Sequence, residues 1–288
     1  FIAGNISRFS IEMMCKVLGV SKSGYYSWLK RKPSKRAVEN QKLMEQIRQI
    51  HKKSKYTYGS PRVTEELKIN YVHVSRRRVA RLMQKAGIRS ITKKKFVATT
   101  DSKHNYPVAP NLLNREFRVE VPGKVWVSDI TYIRTIEGWL YLTVIIDLFD
   151  RKVIGWSMSS TLKTSETIAP AWMMALMNRP LTDKLIFHSD RGIQYACSEL
   201  KELIRNPQVI QSMSRKGNCW DNAVAESFFK TIKTEWIYRF VYTTKKQAVI
   251  SVFEYIETWY NTQRRHSALN YLTPDEYGKL MNKLKTAA

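Results

Sequence analysis

From residue 124 onward, the order of elements limits the fold more than any other feature of this chain. Residues 124–134 read as a strand, a turn at Glu137-Gly138 leads into a second strand at 139–149, and 153–157 is a third. Links this short predict an antiparallel meander. A helix at 164–178 follows, then a strand ending at Asp190. Next come a helix near 196–205, a short strand at 209–213 and a long helix from about 221 to 238. The tail, 245–282, reads as helix, basic turn and helix.

Three strands followed by alternating helix and strand is the order of an RNase H-like fold, an α/β architecture with a mixed sheet. That domain is predicted over 119–288, with its helical tail. Small all-α modules precede it. Residues 1–34 contain two short helices around a turn, at 10–31, with Ile11, Met14, Val17 and Leu18 at helical spacing. Gly19 ends the first, Ser21 caps the second, and Pro33 follows. Whether this pair contacts DNA or only packs stays open. Residues 35–90 form a basic helical domain. Within it, helices at 61–70 and 75–86 make the stronger helix-turn-helix candidate, with Pro61 in a first turn, Ser75 as N-cap and Gly87 as stop. The second helix turns Val79, Leu82, Met83 and Ala86 inward and carries Arg76, Arg77, Arg78, Arg81 and Lys85. Residues 91–118 read as a basic linker, with Lys93, Lys94 and Lys95 placed to follow phosphates.

Charge is distributed unevenly. The net charge is +25, and residues 1–118 carry 27 Lys and Arg against 7 Asp and Glu. A polyanion is the partner this favours, and the front half is the expected footprint. Three scattered cysteines, Cys15, Cys197 and Cys219, form neither a disulfide framework nor a zinc pattern and point to a reducing compartment. No apolar run is long enough for a transmembrane helix, so no membrane partner is expected.

Three acids stand out by placement. Asp129 interrupts an apolar strand, Val-Trp-Val-Ser-Asp-Ile-Thr-Tyr-Ile, with no Lys or Arg between Lys124 and Arg134. An ionised carboxylate there is costly unless it is paired or bound to a metal. Asp190 closes the strand Leu-Ile-Phe-His-Ser-Asp, where ligands collect in open α/β sheets. Glu226 falls opposite the helical stripe of Ala225, Phe228, Ile232 and Trp236, together with Asn222, Phe229, Lys230 and Lys233. That face is expected to present a metal ligand, Lys230 and Lys233 to one phosphate backbone. His188 shares a strand face with Asp190; it either orients water or phosphate or is simply packed. Spacing alone proves little, since Asp221 and Glu257 repeat the interval from Asp190 to Glu226. Their expected roles are an N-cap and a solvated charge. Carboxylates gathered from two strands and a helix suit two magnesium ions, or manganese, in phosphodiester chemistry.

With these residues in hand, nearly the whole chain resembles insertion-sequence transposases of the OrfB type, within the retroviral-integrase superfamily. The resemblance lies in 126–133 (Trp-Val-Ser-Asp-Ile-Thr-Tyr-Ile), 145–156 (Ile-Ile-Asp-Leu-Phe-Asp-Arg-Lys-Val-Ile-Gly-Trp) and 188–195 (His-Ser-Asp-Arg-Gly-Ile-Gln-Tyr). It continues through 212–229 (Ser-Met-Ser-Arg-Lys-Gly-Asn-Cys-Trp-Asp-Asn-Ala-Val-Ala-Glu-Ser-Phe-Phe) and 260–269 (Tyr-Asn-Thr-Gln-Arg-Arg-His-Ser-Ala-Leu). In the front half it lies in 17–26 and 58–62. The resemblance implies an integrase catalytic core with Asp129, Asp190 and Glu226 as a DDE triad holding two divalent metals. It implies recognition of terminal inverted repeats by the N-terminal helices, cleavage at element ends, and transesterification by the freed 3′-hydroxyl into target DNA. Homo-oligomers on double-stranded DNA, a fusion with an upstream OrfA protein, and a cytoplasmic, nucleoid-associated location are implied likewise. A metal-dependent nuclease without joining and an inactive DNA-binding regulator are the alternatives. The sequence departs from the family at 149–151, where Phe-Asp-Arg stands for the more usual Phe-Ser-Arg.

Overall fold

The computed structural model describes residues 1–91 and 107–286, the side chains of Cys219 and Lys285 excepted. Lys93, Lys94 and Lys95 lie outside the described residues. Two short helices open the chain, α1 (Ile11–Val17) and α2 (Lys22–Leu29), each capped by a serine hydroxyl, Ser10 on Met13 N–H and Ser21 on Gly24 N–H. Their packing is narrower than the helical spacing predicts. Ile2, Met14, Cys15 and Tyr25 form a small core of their own, while Val17 and Leu18 face outward.

Three helices follow: α3 (Lys35–Lys53), α4 (Ser60–Ile69) and α5 (Arg76–Lys85). Ser75 caps α5 through Arg78 N–H, and Gly87, at φ 68°, ends it as expected. Val63, Leu67, Val79, Leu82 and Met83 are buried together with Leu43 and Ile47 of α3.

The sheet has five strands, β1 (Val125–Thr135), β2 (Gly138–Asp147), β3 (Val153–Ser159), β4 (Leu185–Ser189) and β5 (Val209–Met213), in the order β3-β2-β1-β4-β5. The first three strands pair antiparallel and β1-β4-β5 pair parallel. This is the RNase H-like arrangement the element order predicted. One face of the sheet packs on α6 (Ile168–Asn178), α7 (Ile193–Ala196) and α8 (Ser198–Leu203). Gly155 on β3 lets α6 approach so closely that a Cβ there would lie 2.1 Å from the Ala171 carbonyl oxygen. The other face packs on α9 (Ala223–Glu235) and α10 (Lys245–Phe253), which continues as a π-helix, Glu254–Tyr260. The chain closes with α11 (Pro274–Thr286).

Several boundaries differ from the sequence reading, each for a local reason. The helix expected from 164 begins at Ile168, because the Thr164 and Thr167 hydroxyls bond backbone carbonyls in a turn, on Gln194 and Lys163. The helix expected at 196–205 is split by Cys197, whose ψ of 160° is extended. The long helix expected at 221–238 is a 3₁₀ turn at Cys219–Asn222, then α9, then a break at Trp236 with φ −137°.

Helices α3–α5 and the sheet share one continuous apolar core, which reaches from Leu43 through Val127 to Tyr260. Polar contacts reinforce it. Tyr58 accepts from Arg265 N–H at 2.8 Å, Arg62 Nε donates to the Arg265 carbonyl at 2.9 Å, and Arg265 Nε donates to Glu66 at 2.7 Å. Residues 107–118 are also tied down. Leu113 is buried, Leu112 N–H donates to Ser212, and Arg115 pairs with Asp221 at 2.9 Å. This part of the expected linker therefore packs on the sheet edge, and Arg115 is engaged within the protein.

Candidate active site

β1 and β4 are neighbours, and their parallel register sets Val127 opposite His188. Continued for two residues, that register brings Asp129 level with Asp190, just past the end of β4. Asp129 Oδ1 accepts from Ile130 N–H at 2.8 Å, and Asp190 Oδ1 accepts from Gly192 N–H at 2.9 Å, shaping the turn after β4. α9 lies along β1, and Asn222, at its N-cap position, donates from Nδ2 to the Ser128 carbonyl at 3.0 Å. Glu226 follows in the first turn of α9 and is exposed.

The three carboxylates act on one another. Burial pushes the Asp129 carboxyl well above the usual range, the Asp190 charge adds to the rise, and Glu226 contributes further, against Ile130 N–H and Lys233. Glu226 is raised by burial and then by Asp190. Burial depresses Lys233, with Asp129 opposing that fall. The result is a pocket of negative field gathered from β1, the end of β4 and α9, with one ammonium at its edge.

The helix face opposite the predicted stripe is only partly a surface. Asn222, Phe229 and Lys233 are buried, as are Ala225, Phe228, Ile232 and Trp236. α9 is enclosed between the sheet and the α10–π-helix segment, so only Glu226, Ser227 and Lys230 on this helix stay exposed. The Lys233 charge therefore acts on Asp129 from a buried position and is not presented on an open face.

His188 is the packed histidine of the two readings. It is fully buried, with Nδ1 2.9 Å from Ser212 Oγ and Nε2 3.3 Å from Ser214 Oγ. Burial lowers its pKa to about 4, so it is neutral near pH 7. Asp221 is no N-cap: its carboxylate, fully buried, accepts from Arg215, Arg115 and Asn111. The Arg215 hydrogen bond, foremost, holds it far below the usual carboxylate range. Glu257 is half-buried and accepts from Trp156 Nε1 at 2.7 Å, so it is no freely solvated charge. On α5, Arg76, Arg77, Arg81 and Lys85 are exposed, but Arg78 is half-buried and bonded to Asn40 and Glu39.

Sequence reasoning missed a second acidic cluster. Asp147, fully buried at the end of β2, and Asp150 share Arg179, at 2.5 and 2.7 Å. Asp147 also interrupts an apolar strand, so the argument applied to Asp129 applied to it equally. Its counter-charge comes from the end of α6, which no local pattern reveals. Among the described residues, no three His, Cys, Asp or Glu side chains close into a metal cage. Among the same residues, no helix is long and apolar enough to cross a membrane.

Known proteins bear on this arrangement. Residues 39–96 match the family described as HTH-like domain, and 120–219 and 208–274 match two families described as integrase core domain. An uncharacterized 31 kDa protein of insertion element IS600 from Shigella sonnei is 43% identical, over 91% of this chain and 96% of its own. The transposase InsF of insertion sequence IS3A from Escherichia coli is 39% identical, over 96% of each chain. Among solved structures, the simian T-cell lymphotropic virus intasome aligns at TM-score 0.47 and 14% identity, over 74% of this chain and 69% of the other. The HTLV-2 integrase catalytic core with magnesium aligns at 0.41 and 18%, over 55% and 97%. This chain belongs to the IS3-type insertion-sequence transposases, DDE-type polynucleotidyl transferases that place a helix-turn-helix-like domain ahead of an integrase core.

Proposed function

We propose that this chain binds the terminal inverted repeats of an insertion sequence and catalyses metal-dependent strand cleavage and strand transfer, with Asp129, Asp190 and Glu226 as its catalytic carboxylates. The observation that carries this reading is the placement of three acids on β1, just past β4 and in the first turn of α9, where the Asp190 charge adds to the rise of the Asp129 and Glu226 carboxyls. Like charges held together at a strand end are costly unless a cation neutralises them.

The donor set fits a hard divalent ion. It is all oxygen, which suits magnesium, an ion bound through one or two carboxylates that keeps several waters and shares its shell with substrate phosphate. Asp129, Asp190 and Glu226 are the residues that would hold it, as two Mg²⁺ ions or as Mn²⁺ in their place. Bound there, the metal supplies activation of the attacking oxygen and stabilisation of the leaving one.

The chain's own residues do the rest. Glu226 and Lys230 are exposed on the first two turns of α9, so an acid and a cation face the DNA backbone together. Water attacks a phosphodiester at the element end and leaves a 3′-hydroxyl. That hydroxyl then attacks a target phosphodiester, displacing the target's 3′ oxygen. Joining two ends in one event calls for an oligomer on DNA. The exposed Arg76, Arg77, Arg81 and Lys85 of α5 grip the repeat.

Labelled terminal-repeat DNA incubated with a target plasmid tests the reading. Joined product with Mg²⁺ and none in EDTA is expected; hydrolysis without joining overturns strand transfer. For the DNA grip, Arg77→Ala with Arg81→Ala is expected to weaken end binding and reduce the log–log salt slope by roughly 2, about 0.9 for each phosphate no longer neutralised. Unchanged affinity and slope across a salt titration refute the assignment of α5.

A further inference from the structure

Ser128, the residue before Asp129, is the junction of a buried hydrogen-bond chain that ties β1 to the N-cap of α9 and to α7, the helix that follows the Asp190 turn. The β1–β4 ladder stops at Val127 and His188. One residue further, the Ser128 carbonyl accepts from Asn222 Nδ2 at 3.0 Å. The Ser128 hydroxyl lies 2.7 Å from the Tyr195 hydroxyl. Glu226 stands four residues after Asn222, and Asp190 five residues before Tyr195, on the turn that leads into α7. Asn222, Ser128 and Tyr195 are 2%, 0% and 1% exposed.

Both ends of this chain are fixed. A carbonyl can only accept, and the NH2 end of an amide is its donor, so the Asn222 amide has one orientation, with Nδ2 on Ser128 and Oδ1 buried without a partner among the described residues. A buried unsatisfied oxygen costs stability, which a packed apolar side chain would avoid. Tyr195 is held at its backbone by Gln211 Nε2, which donates to its carbonyl at 2.7 Å, and its ring packs beside Phe187.

We infer that Asn222, Ser128 and Tyr195 are positioning residues that fix the spacing of Asp129, Asp190 and Glu226 before a cation arrives. The inference rests on the proposed metal-binding role of those acids. Left to themselves, like charges spread apart. A chain of neutral hydrogen bonds in a low-dielectric interior opposes that without adding a charge to the site. Groups placed this way behind metal ligands typically change metal affinity 10- to 100-fold when removed.

The test is Mn²⁺ binding to the full chain without DNA, followed by electron paramagnetic resonance, alongside thermal melting and end binding. Tyr195→Phe removes a single oxygen, and Asn222→Leu removes the amide. Tyr242→Phe is the control, since its buried ring also loses a hydroxyl bond, 2.9 Å to Ser251, away from the acids. Tyr195→Phe and Asn222→Leu are expected to weaken Mn²⁺ binding about tenfold or more, with metal-free end binding unchanged. Tyr242→Phe is expected to keep wild-type Mn²⁺ affinity. Wild-type affinity in Tyr195→Phe, or equal weakening in Tyr242→Phe, overturns the inference. If the wild-type chain binds no Mn²⁺, the metal-site reading falls, and the inference falls with it.

Discussion

Asp190→Asn is expected to reduce strand cleavage and joining by a thousandfold or more, on the order of losing a principal electrostatic contact to the reacting phosphate, while end binding survives. The separation follows from layout: the acids sit at the end of β4 and on β1 and α9, and the exposed arginines sit on α5. Parallel loss of end binding would place Asp190 in folding instead. The same cluster has a stability signature. Asp129 and Glu226 have raised pKa values, so protonation favours the folded state. Their contribution is present at low pH and lost as pH rises through the folded pKa. In EDTA near neutral pH, Asp129 buried beside Asp190 therefore costs stability. Asp129→Asn is expected to raise the melting temperature there, read by calorimetry, and a fall would contradict the repulsion.

The second large effect lies in the join between α9 and the tail of the core that follows the π-helix. Arg264 and Glu235 form a buried bidentate pair, with both contacts at 2.7 Å, and Tyr255 donates to the same carboxylate at 3.0 Å. Burial pushes the Glu235 carboxyl up, but Arg264, Arg62 and Tyr255 together hold it below its ordinary value. Arg264→Ala leaves that charge buried with its main partner gone, at a cost of about 3–5 kcal/mol. For a chain of this size the loss lowers the melting temperature by roughly 10 °C. Because Glu235 is the last residue of α9, the helix that carries Glu226, joining activity is expected to fall as well. Arg264→Met with Glu235→Leu, which removes both charges, is expected to recover most of the stability. A double variant as unstable as Arg264→Ala would show that packing, not charge, holds this join.

The candidate site was legible to the extent that it depends on strands. The interrupted apolar strand around Asp129 and the strand end at Asp190 are where the sequence put them, on β1 and just past β4, and the register from Val127 to His188 brings the two level. Helical phase found the buried stripe Ala225, Phe228, Ile232 and Trp236 but not the burial of Phe229 and Lys233. A single apolar stripe implies one packing partner, and α9 has two. Asp147 shows the limit of the strand argument. By sequence it is as anomalous as Asp129, and only Arg179, far along the chain, marks it as half of a structural ion pair. Asp221 likewise takes its partners from Arg215, Arg115 and Asn111, which no capping rule anticipates. The π-helix at Glu254–Tyr260 had no sequence signal either, since its apolar positions fit an ordinary helix.

Direct ligation by Asp129 is the central claim, and metal preference in the strand-transfer assay tests it. A thiolate is a softer ligand than a carboxylate and tolerates Mn²⁺ better than Mg²⁺. Asp129→Cys is expected to be inactive with Mg²⁺ and to regain joining in part with Mn²⁺. Wild-type joining by Asp129→Cys in Mg²⁺ would contradict it.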